Sequence, residues 1–186
     1  MSGIAFTRYL LSKKEKKQLE SRIRSSIKRD IHLDFRKKTV EIIKTRLGFN
    51  VYFIDDFPLL IERGELLFPS IIAGFFDYIE LPKVAVDDGA VPHILNGADV
   101  MAPGIVSITE SFSVGELVYV VNLKGEVIAV GRAVMTDSEI FSLKKGRSIK
   151  NLHYYGDKIW NTYIKEVDLN RLRQEIEGRL KQSNSF

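Results

Sequence analysis

The chain has 186 residues, of which 45% are hydrophobic and 28% are charged, an ordinary globular composition that excludes a fibre and a wholly disordered protein. It contains no cysteine, which excludes disulfides, iron–sulfur clusters, cysteine zinc sites and thiol nucleophiles and is compatible with a reducing cytoplasm. No run of about 18 apolar residues occurs, so we expect no transmembrane helix and no membrane partner.

The formal net charge of +4 hides an uneven distribution along the chain. Residues 1–50 carry 14 cationic and 5 acidic side chains, whereas residues 51–100 carry 2 cationic and 9 acidic ones. This difference favours a polyanionic partner for the basic segment. The alternative is a solvated basic helix that partly neutralises an acidic sheet beside it, and the charges alone do not separate the two interpretations.

The first predicted element is a helix over residues 13–29. Ser12 and Glu15 have the spacing of a capping box, and apolar residues recur every four positions to form a narrow stripe. The cationic side chains that share another face of this helix are Lys13, Lys17, Arg24 and Lys28. We therefore expect the helix to pack by one edge and to present a basic surface to water or to phosphate.

A strand-rich stretch follows this helix. Apolar and β-branched runs bounded by turn residues predict four strands, at residues 39–46, 50–54, 58–62 and 65–68, which form an antiparallel sheet covered by the first helix. A short buried helix is expected over residues 69–77, because their apolar residues keep helical spacing. Together these elements predict an N-terminal α+β domain over residues 1–79.

The second half of the chain predicts a small β-barrel domain over residues 80–160. Its strands are expected at residues 83–87, 105–109, 117–121 and 127–134, with a short helix through Leu95 between the first two. Residues 117–121 are apolar on both faces, which suits a closed barrel better than an exposed sheet. The remaining residues, 161–186, are expected to form an amphipathic helix over 167–182 and a frayed tail.

Catalytic patterns are missing from the sequence. The three histidines, His32, His93 and His153, have no metal-ligand spacing, and no phosphate loop or nucleophile elbow occurs. We therefore expect a non-enzymatic protein without metal or cofactor. The alternative is an enzyme whose catalytic groups converge from distant positions in the sequence.

Features that suit nucleic-acid binding are better represented. Glycines within residues 88–105 allow a sugar-phosphate backbone to approach closely. A second cationic cluster then precedes an aromatic run; the cluster is Lys144, Lys145, Arg147 and Lys150, and the run is His153, Tyr154 and Tyr155. Cations beside flat rings are typical of proteins that bind single-stranded RNA or RNA ends. The alternative for the aromatic run is a closing barrel strand with one or two buried rings.

Residues 84–105, VAVDDGAVPHILNGADVMAPGI, closely resemble the signature of PUA domains, named for pseudouridine synthases and archaeosine transglycosylases. Residues 148–160, SIKNLHYYGDKIW, and 64–68, GELLF, resemble the malignant-T-cell-amplified-sequence family of translation proteins. The resemblance implies an archaeal-type stand-alone protein whose α+β pre-PUA domain precedes a PUA domain. This architecture agrees with the α+β class expected from the elements.

The resemblance also implies a site and a function. PUA domains hold RNA with the first helix, the loop after it, the following strand and part of a late strand. The corresponding residues here are Lys83, Gly89, Ala90, Gly97, Ala98, Val100, Met101, Arg147, Lys150 and His153. The expected function is that of a non-catalytic, cytoplasmic translation or ribosome-associated factor that binds small-subunit rRNA or tRNA, with another translation factor as a candidate partner. The alternatives are an RNA-targeting subunit of a tRNA-modifying enzyme of the archaeosine transglycosylase type, and a protein-interaction module that docks through its C-terminal helix.

Overall fold

A computed structural model describes residues 6–27, 29–76, 78–165 and 174 of the chain. The strands are β1 (Phe6–Leu10), β2 (Val40–Thr45), β3 (Asn50–Ile54), β4 (Phe57–Arg63), β5 (Leu66–Pro69), β6 (Lys83–Val86), β7 (Val100–Met101), β8 (Ile105–Ile108), β9 (Leu117–Val121), β10 (Val127–Ala133) and β11 (Arg147–Tyr154). The helices are α1 (Lys13–Ser26), α2 (Ile71–Phe75), α3 (Val91–Leu95) and α4 (Asp137–Leu143), with a 3-10 turn at Ala102–Gly104 and a π-helix at Trp160–Ile164.

The N-terminal domain is a five-stranded antiparallel sheet with α1 packed against it. Its strand order is β1-β2-β3-β4-β5, so each strand pairs with its neighbour in sequence. The four predicted strands are confirmed within one or two residues of their expected ends. β1 was not expected, because residues 6–10 alternate too briefly to be told from a loop; in the fold they pair with β2 in the register Tyr9↔Ile42.

Helix α1 begins as its capping box predicts. The Ser12 hydroxyl accepts from the Glu15 amide at 3.3 Å, and the Glu15 carboxylate accepts from the Ser12 amide at 2.8 Å. The helix ends at Ser26, three residues before the predicted end, because Ile27 already has an extended backbone. Ile27 is buried nevertheless, so the apolar stripe continues past the helix into the core.

A polar cluster holds α1 to the sheet. The Glu62 carboxylate accepts from the Arg22 guanidinium at 2.6 Å, from the Asn50 amide at 2.8 Å and from the Tyr52 hydroxyl at 3.3 Å. Burial, followed by the nearby charge of Glu62, raises the pKa of Tyr52 to about 12. Burial alone would raise the pKa of Glu62, but the hydrogen bonds and the Arg22 charge outweigh it and lower that pKa below 4.5.

The second sheet curls into the barrel-like shape expected from the sequence. Its six strands lie in the order β7-β11-β10-β9-β6-β8. The two edge strands, β7 and β8, are consecutive in the chain and are joined through the 3-10 turn, so the two edges of the sheet curve toward each other. Helix α4 was not expected, although Thr136 and Glu139 form a capping box that the sequence already contains.

The two sheets share a continuous hydrophobic core. Tyr119 of β9 is 1% exposed and packs among residues of the N-terminal domain, and its hydroxyl donates to the Ile79 carbonyl at 3.1 Å. Arg29, after α1, reaches the Glu110 carboxylate at 2.8 Å and the Ser111 carbonyl at 2.7 Å. Apolar packing and these polar contacts therefore join the two domains.

The expected domain boundaries stay a prediction, but the segment after β11 does not pack against the second sheet alone. Ile159, Trp160 and Ile164 are buried in the core cluster that the two sheets share, so the segment after β11 packs into the core between the two domains. The predicted helix over 167–182 lies outside the described residues except for Gln174, which is helical. No helix in the described part of the chain is long and apolar enough to cross a membrane.

Candidate nucleic-acid interface

A cleft of about 530 Å³ lies between α3 and the β7 region of the PUA-like sheet. Five of the residues predicted to bind RNA line it: Gly89, Ala90, Ala98, Val100 and Met101. We call it the PUA cleft. The fold therefore brings half of the predicted site together, from segments before and after α3.

The floor of this cleft depends on a close approach of two loops. The Asp87 carboxylate accepts from the Ala90 amide at 2.8 Å, which shapes the turn into α3. The Asp87 amide donates to the Gly104 carbonyl at 2.9 Å, and a Cβ at Gly104 would lie 2.9 Å from the Ala90 Cβ. A side chain at position 104 would thus push the two walls apart, so glycine is required there.

Asp99 and Asn151 fix the loop that forms one rim. The Asp99 carboxylate accepts from the Asn151 amide at 2.8 Å, and the Asn151 side-chain amide donates to the Ile94 and Ala98 carbonyls at 3.0 Å each. The second oxygen of Asp99 accepts from the Arg147 guanidinium at 3.3 Å. Neither Asp99 nor Asn151 was predicted to belong to the site, although Asp99 lies within the signature, because their partners are about fifty positions away.

The rim combines a cation with an apolar side chain. Arg147 pairs with Met101 between β11 and β7, and both are exposed, with 50% of Met101 accessible and 58% of the Arg147 side chain. Lys150 is exposed on β11 opposite Arg132 of β10 and does not line the cleft. Arg147 is thus the predicted cation nearest to the cleft wall, and Lys150 with Arg132 forms a separate cationic pair.

Three of the residues predicted to bind RNA do not present an exposed side chain to the cleft. His153 is 0% exposed, and its Nδ1 lies 2.7 Å from the Asp157 carboxylate, so its side chain is not accessible to a ligand in this fold. Val100 is 1% exposed, which leaves its side chain in the barrel core rather than open to RNA. Lys83 begins β6 whereas Asp87 follows that strand, and Lys83 does not line the cleft.

Gly97 lies at the crest of the loop before β7. It has a φ of +89°, which favours glycine, and a Cβ there would lie 3.1 Å from the Tyr154 hydroxyl oxygen. Gly97 and its neighbours Asn96 and Ala98 are all exposed. The crest is therefore an exposed stretch of loop that has no side chain at Gly97, where Tyr154 lies directly beneath it.

A second candidate surface lies on α1. Lys13, Lys17 and Arg24 are exposed as predicted, and Arg24 forms an ion pair with Glu20 at 3.1 Å. Lys28 lies outside the described residues. A cavity of about 640 Å³ beside the helix is lined by Lys13, Lys16, Lys17, Glu20 and Arg36. The sequence pattern missed Lys16 and Arg36, which the loop after α1 brings beside the helix.

We call Lys13, Lys16, Lys17 and Arg36 the α1 cationic surface. The Lys16 ammonium donates to the Lys38 carbonyl at 3.0 Å, which holds the loop against the helix. Four cations from two segments thus face one cavity, with Glu20 as the acidic side chain in its lining. Among the residues that the structure describes, no cluster of histidine, aspartate and glutamate suits a metal ion.

The fold and the cleft define a class of protein, in which an α+β domain precedes a PUA domain. The family model of the PUA domain matches residues 82–155. A second model, of a domain of unknown function called DUF1947, matches residues 7–73. These two matches cover the two sheets in the order that the resemblance implied, and a PUA domain implies RNA binding.

Known proteins match the chain across both domains. An uncharacterized protein of Methanocaldococcus jannaschii is 36% identical over 155 residues, which are 83% of this chain and 95% of that protein. Translation machinery-associated protein 20 of Saccharomyces cerevisiae is 32% identical over 134 residues, 68% of this chain and 74% of that protein. The crystal structure of a hypothetical protein from Pyrococcus horikoshii superposes with a TM-score of 0.71 and 34% identity, covering 84% of this chain and 99% of that one.

The chain belongs to the family of stand-alone PUA proteins that includes translation machinery-associated protein 20. This confirms the resemblance found in the sequence. A shorter match is to a protein named Probable tRNA pseudouridine synthase B, from Thermococcus onnurineus, which is 42% identical over 69 residues. Those residues are 37% of this chain and 21% of that protein.

Proposed function

We propose that this protein is a non-catalytic translation factor of the cytoplasm that binds small-subunit rRNA or tRNA through its PUA cleft. The observation that carries the proposal is the rim of that cleft, where Asp99 orients an exposed Arg147 beside an exposed Met101. Arg147 contacts a phosphate, and Met101 offers an apolar surface to an unpaired base. The relative named for the translation machinery supports the translation role.

The α1 cationic surface supplies a second contact in this proposal. The PUA half has little net charge, since residues 101–186 carry 12 cationic and 10 acidic side chains. Recognition by the cleft therefore depends on shape and on a few placed groups, whereas the N-terminal domain contributes the long-range attraction to a polyanion. Another translation factor is a further candidate partner for the complex that forms on the RNA.

The test measures binding of the full chain to purified small ribosomal subunits and to tRNA over a range of salt concentrations. Arg147→Ala, on the rim of the cleft, should lower the slope of log affinity against log salt by about 1 and weaken binding by up to about tenfold. Lys124→Ala, at an exposed lysine in the β9–β10 hairpin, is the matched control and should bind as the wild type does. Binding that is undetectable or insensitive to salt would contradict the proposal.

A second candidate function is that of an RNA-targeting subunit for a tRNA-modifying enzyme. The match to a protein named for tRNA pseudouridine synthesis favours it, because the similarity covers part of this chain and part of that protein, as expected for a domain that occurs in both. The protein would then lend RNA affinity to a separate catalytic subunit. Purification of the tagged chain from cells separates the two functions: ribosomal small subunits in the eluate support the translation role, and a modifying enzyme without ribosomes supports the alternative.

A further inference from the structure

A groove of about 420 Å³ lies between the two domains, on the far side of the loop before β7 from the PUA cleft. Its N-terminal wall is formed by Leu47, Gly48, Phe49 and Arg63, and its PUA wall by Asn151, Leu152, Tyr154, Asp157, Lys158 and Ile159. We call it the interdomain groove. Neither the sequence pattern nor the family resemblance pointed to it.

The interdomain groove and the PUA cleft meet at the loop of residues 96–99. Asn151 lines the groove, and its side-chain amide donates to the carbonyls of Ile94 and Ala98, which line the cleft. Tyr154 also lines the groove and lies directly beneath Gly97. One loop thickness therefore separates the two concavities, and a sugar-phosphate chain can pass closely over the crest of that loop at Gly97, which has no side chain.

The groove has the charge that a single RNA strand requires. Arg63 at the end of β4 and Lys158 after β11 are both exposed and approach the groove from opposite walls. Within the described ranges neither cation has an ion-pair partner. The acidic residue of the lining, Asp157, is already engaged, because its carboxylate contacts His153 Nδ1 and accepts from the Trp160 amide at 2.7 Å.

The walls of the groove are held in place before any ligand arrives. Phe49 on the N-terminal wall is buried, and its ring meets that of Tyr163 edge-on with centroids 6.0 Å apart. Ile159 on the opposite wall is 1% exposed within the core that the two domains share. Binding would therefore cost little ordering of the protein, as suits a preformed site.

We propose that the interdomain groove is a second RNA subsite, which receives the single-stranded nucleotides adjacent to those held in the PUA cleft. The strand crosses the crest at Gly97, passes Tyr154, and places phosphates between Arg63 and Lys158. This assignment rests on the proposed function of the PUA cleft. A segment of a partner protein in the groove is the competing occupant, and the experiment below separates it from RNA.

The experiment uses the full chain and fluorescence anisotropy with labelled hairpin RNAs whose single-stranded tails are about two or about eight nucleotides long, placed at the 3′ or the 5′ end. The wild type should bind one of the long-tailed hairpins more tightly than its short-tailed form. Arg63→Ala combined with Lys158→Ala should remove that gain, weakening the long-tailed RNA by about tenfold and lowering its salt slope by about 0.7 for each lost phosphate contact. The short-tailed RNA should bind the variant as it binds the wild type.

Arg46→Ala is the matched control, since Arg46 is an exposed arginine next to the groove-lining loop but not part of the lining. Unchanged thermal midpoints of all variants show that the fold is intact. If Arg147→Ala weakens every RNA while the groove variant weakens none, the groove assignment is overturned and the cleft function stands. If Arg147→Ala has no effect on any RNA, the proposed function itself fails. Loss of a copurifying protein with RNA binding unchanged would assign the groove to a protein segment instead.

Discussion

The packing of Gly74 against Tyr119 tests whether the two domains share a tight core. Gly74 lies in α2 of the N-terminal domain, and a Cβ at this position would be 2.6 Å from Cε1, 2.8 Å from Cζ and 2.9 Å from Cδ1 of the Tyr119 ring. The ring has little room to withdraw, because Tyr119 is 1% exposed and its hydroxyl donates to the Ile79 carbonyl. We therefore predict that Gly74→Ala destabilises the protein.

Two effects of opposite sign set the size of this change. In an unconstrained helix the substitution stabilises by about 1 kcal/mol, because alanine restricts the unfolded chain and favours helix. Overpacking of a tight core costs about 1–3 kcal/mol. The contacts at Gly74 involve three ring atoms of a buried side chain, so we expect the upper part of that range and a net loss of about 1–2 kcal/mol. For a chain of this length the melting temperature should fall by about 2–8 °C.

Thermal unfolding followed by circular dichroism measures this loss, and a double-mutant cycle identifies its cause. Tyr119→Leu removes the ring, so Gly74→Ala in that background should be neutral or stabilising. Tyr119→Phe keeps all three close ring atoms and should not relieve the strain. A melting temperature of Gly74→Ala equal to or above that of the wild type, with Tyr119 intact, would refute the proposed close packing.

Two further predictions concern polar groups. Hydrogen bonds from Asn50 and the Arg22 guanidinium lower the pKa of Glu62 in the folded protein. The contribution of the Glu62 carboxylate to stability is therefore complete above the pKa that Glu62 has in the unfolded chain, and it is lost as the pH falls through the lower pKa of the folded protein. Urea midpoints of Glu62→Gln should therefore differ most from the wild type near neutrality and converge below about pH 4.5; a gap that is constant with pH would contradict this. Asn151→Ala leaves the Ile94 and Ala98 carbonyls without their donor and should lower the free energy of unfolding by about 1–3 kcal/mol. Amide hydrogen exchange in the loop before β7 should become faster. Unchanged exchange there would show that the loop does not depend on this side chain.

The sequence alone was sufficient to predict most of the local structure and the family. Capping residues and apolar periodicity placed the start of α1 and most strands, because these signals act between near neighbours in the chain. The signature over residues 84–105 identified the PUA domain, and two of its glycines, Gly89 and Gly104, line one cleft together with Met101. Charge counting placed the basic segment at the N-terminal end, where the α1 cationic surface lies.

Only the tertiary structure decided which side chains reach that cleft. His153, which the family resemblance placed among the RNA-contacting residues, is buried in the fold. Regular alternation from the exposed Arg147 would place position 153 on the exposed face, but β11 has register shifts against both of its partners. A Cβ at Gly131 would overlap the Ile149 side chain, which shows how closely β10 and β11 approach at one such shift. Burial of His153 follows from this irregular pairing, which a single strand's pattern does not encode.

The rim and the interdomain groove likewise depend on long-range contacts. Asp99 and Arg147 are far apart in the sequence, and their ion pair exists only because β7 pairs with β11. Arg63 and Lys158 belong to different domains, and they share a groove because the two sheets bury a common core between them. The sequence determined elements, charge and family through local interactions and a recognisable motif. The packing of distant segments determined which residues meet, since side-chain proximity follows from the whole fold and not from spacing along the chain.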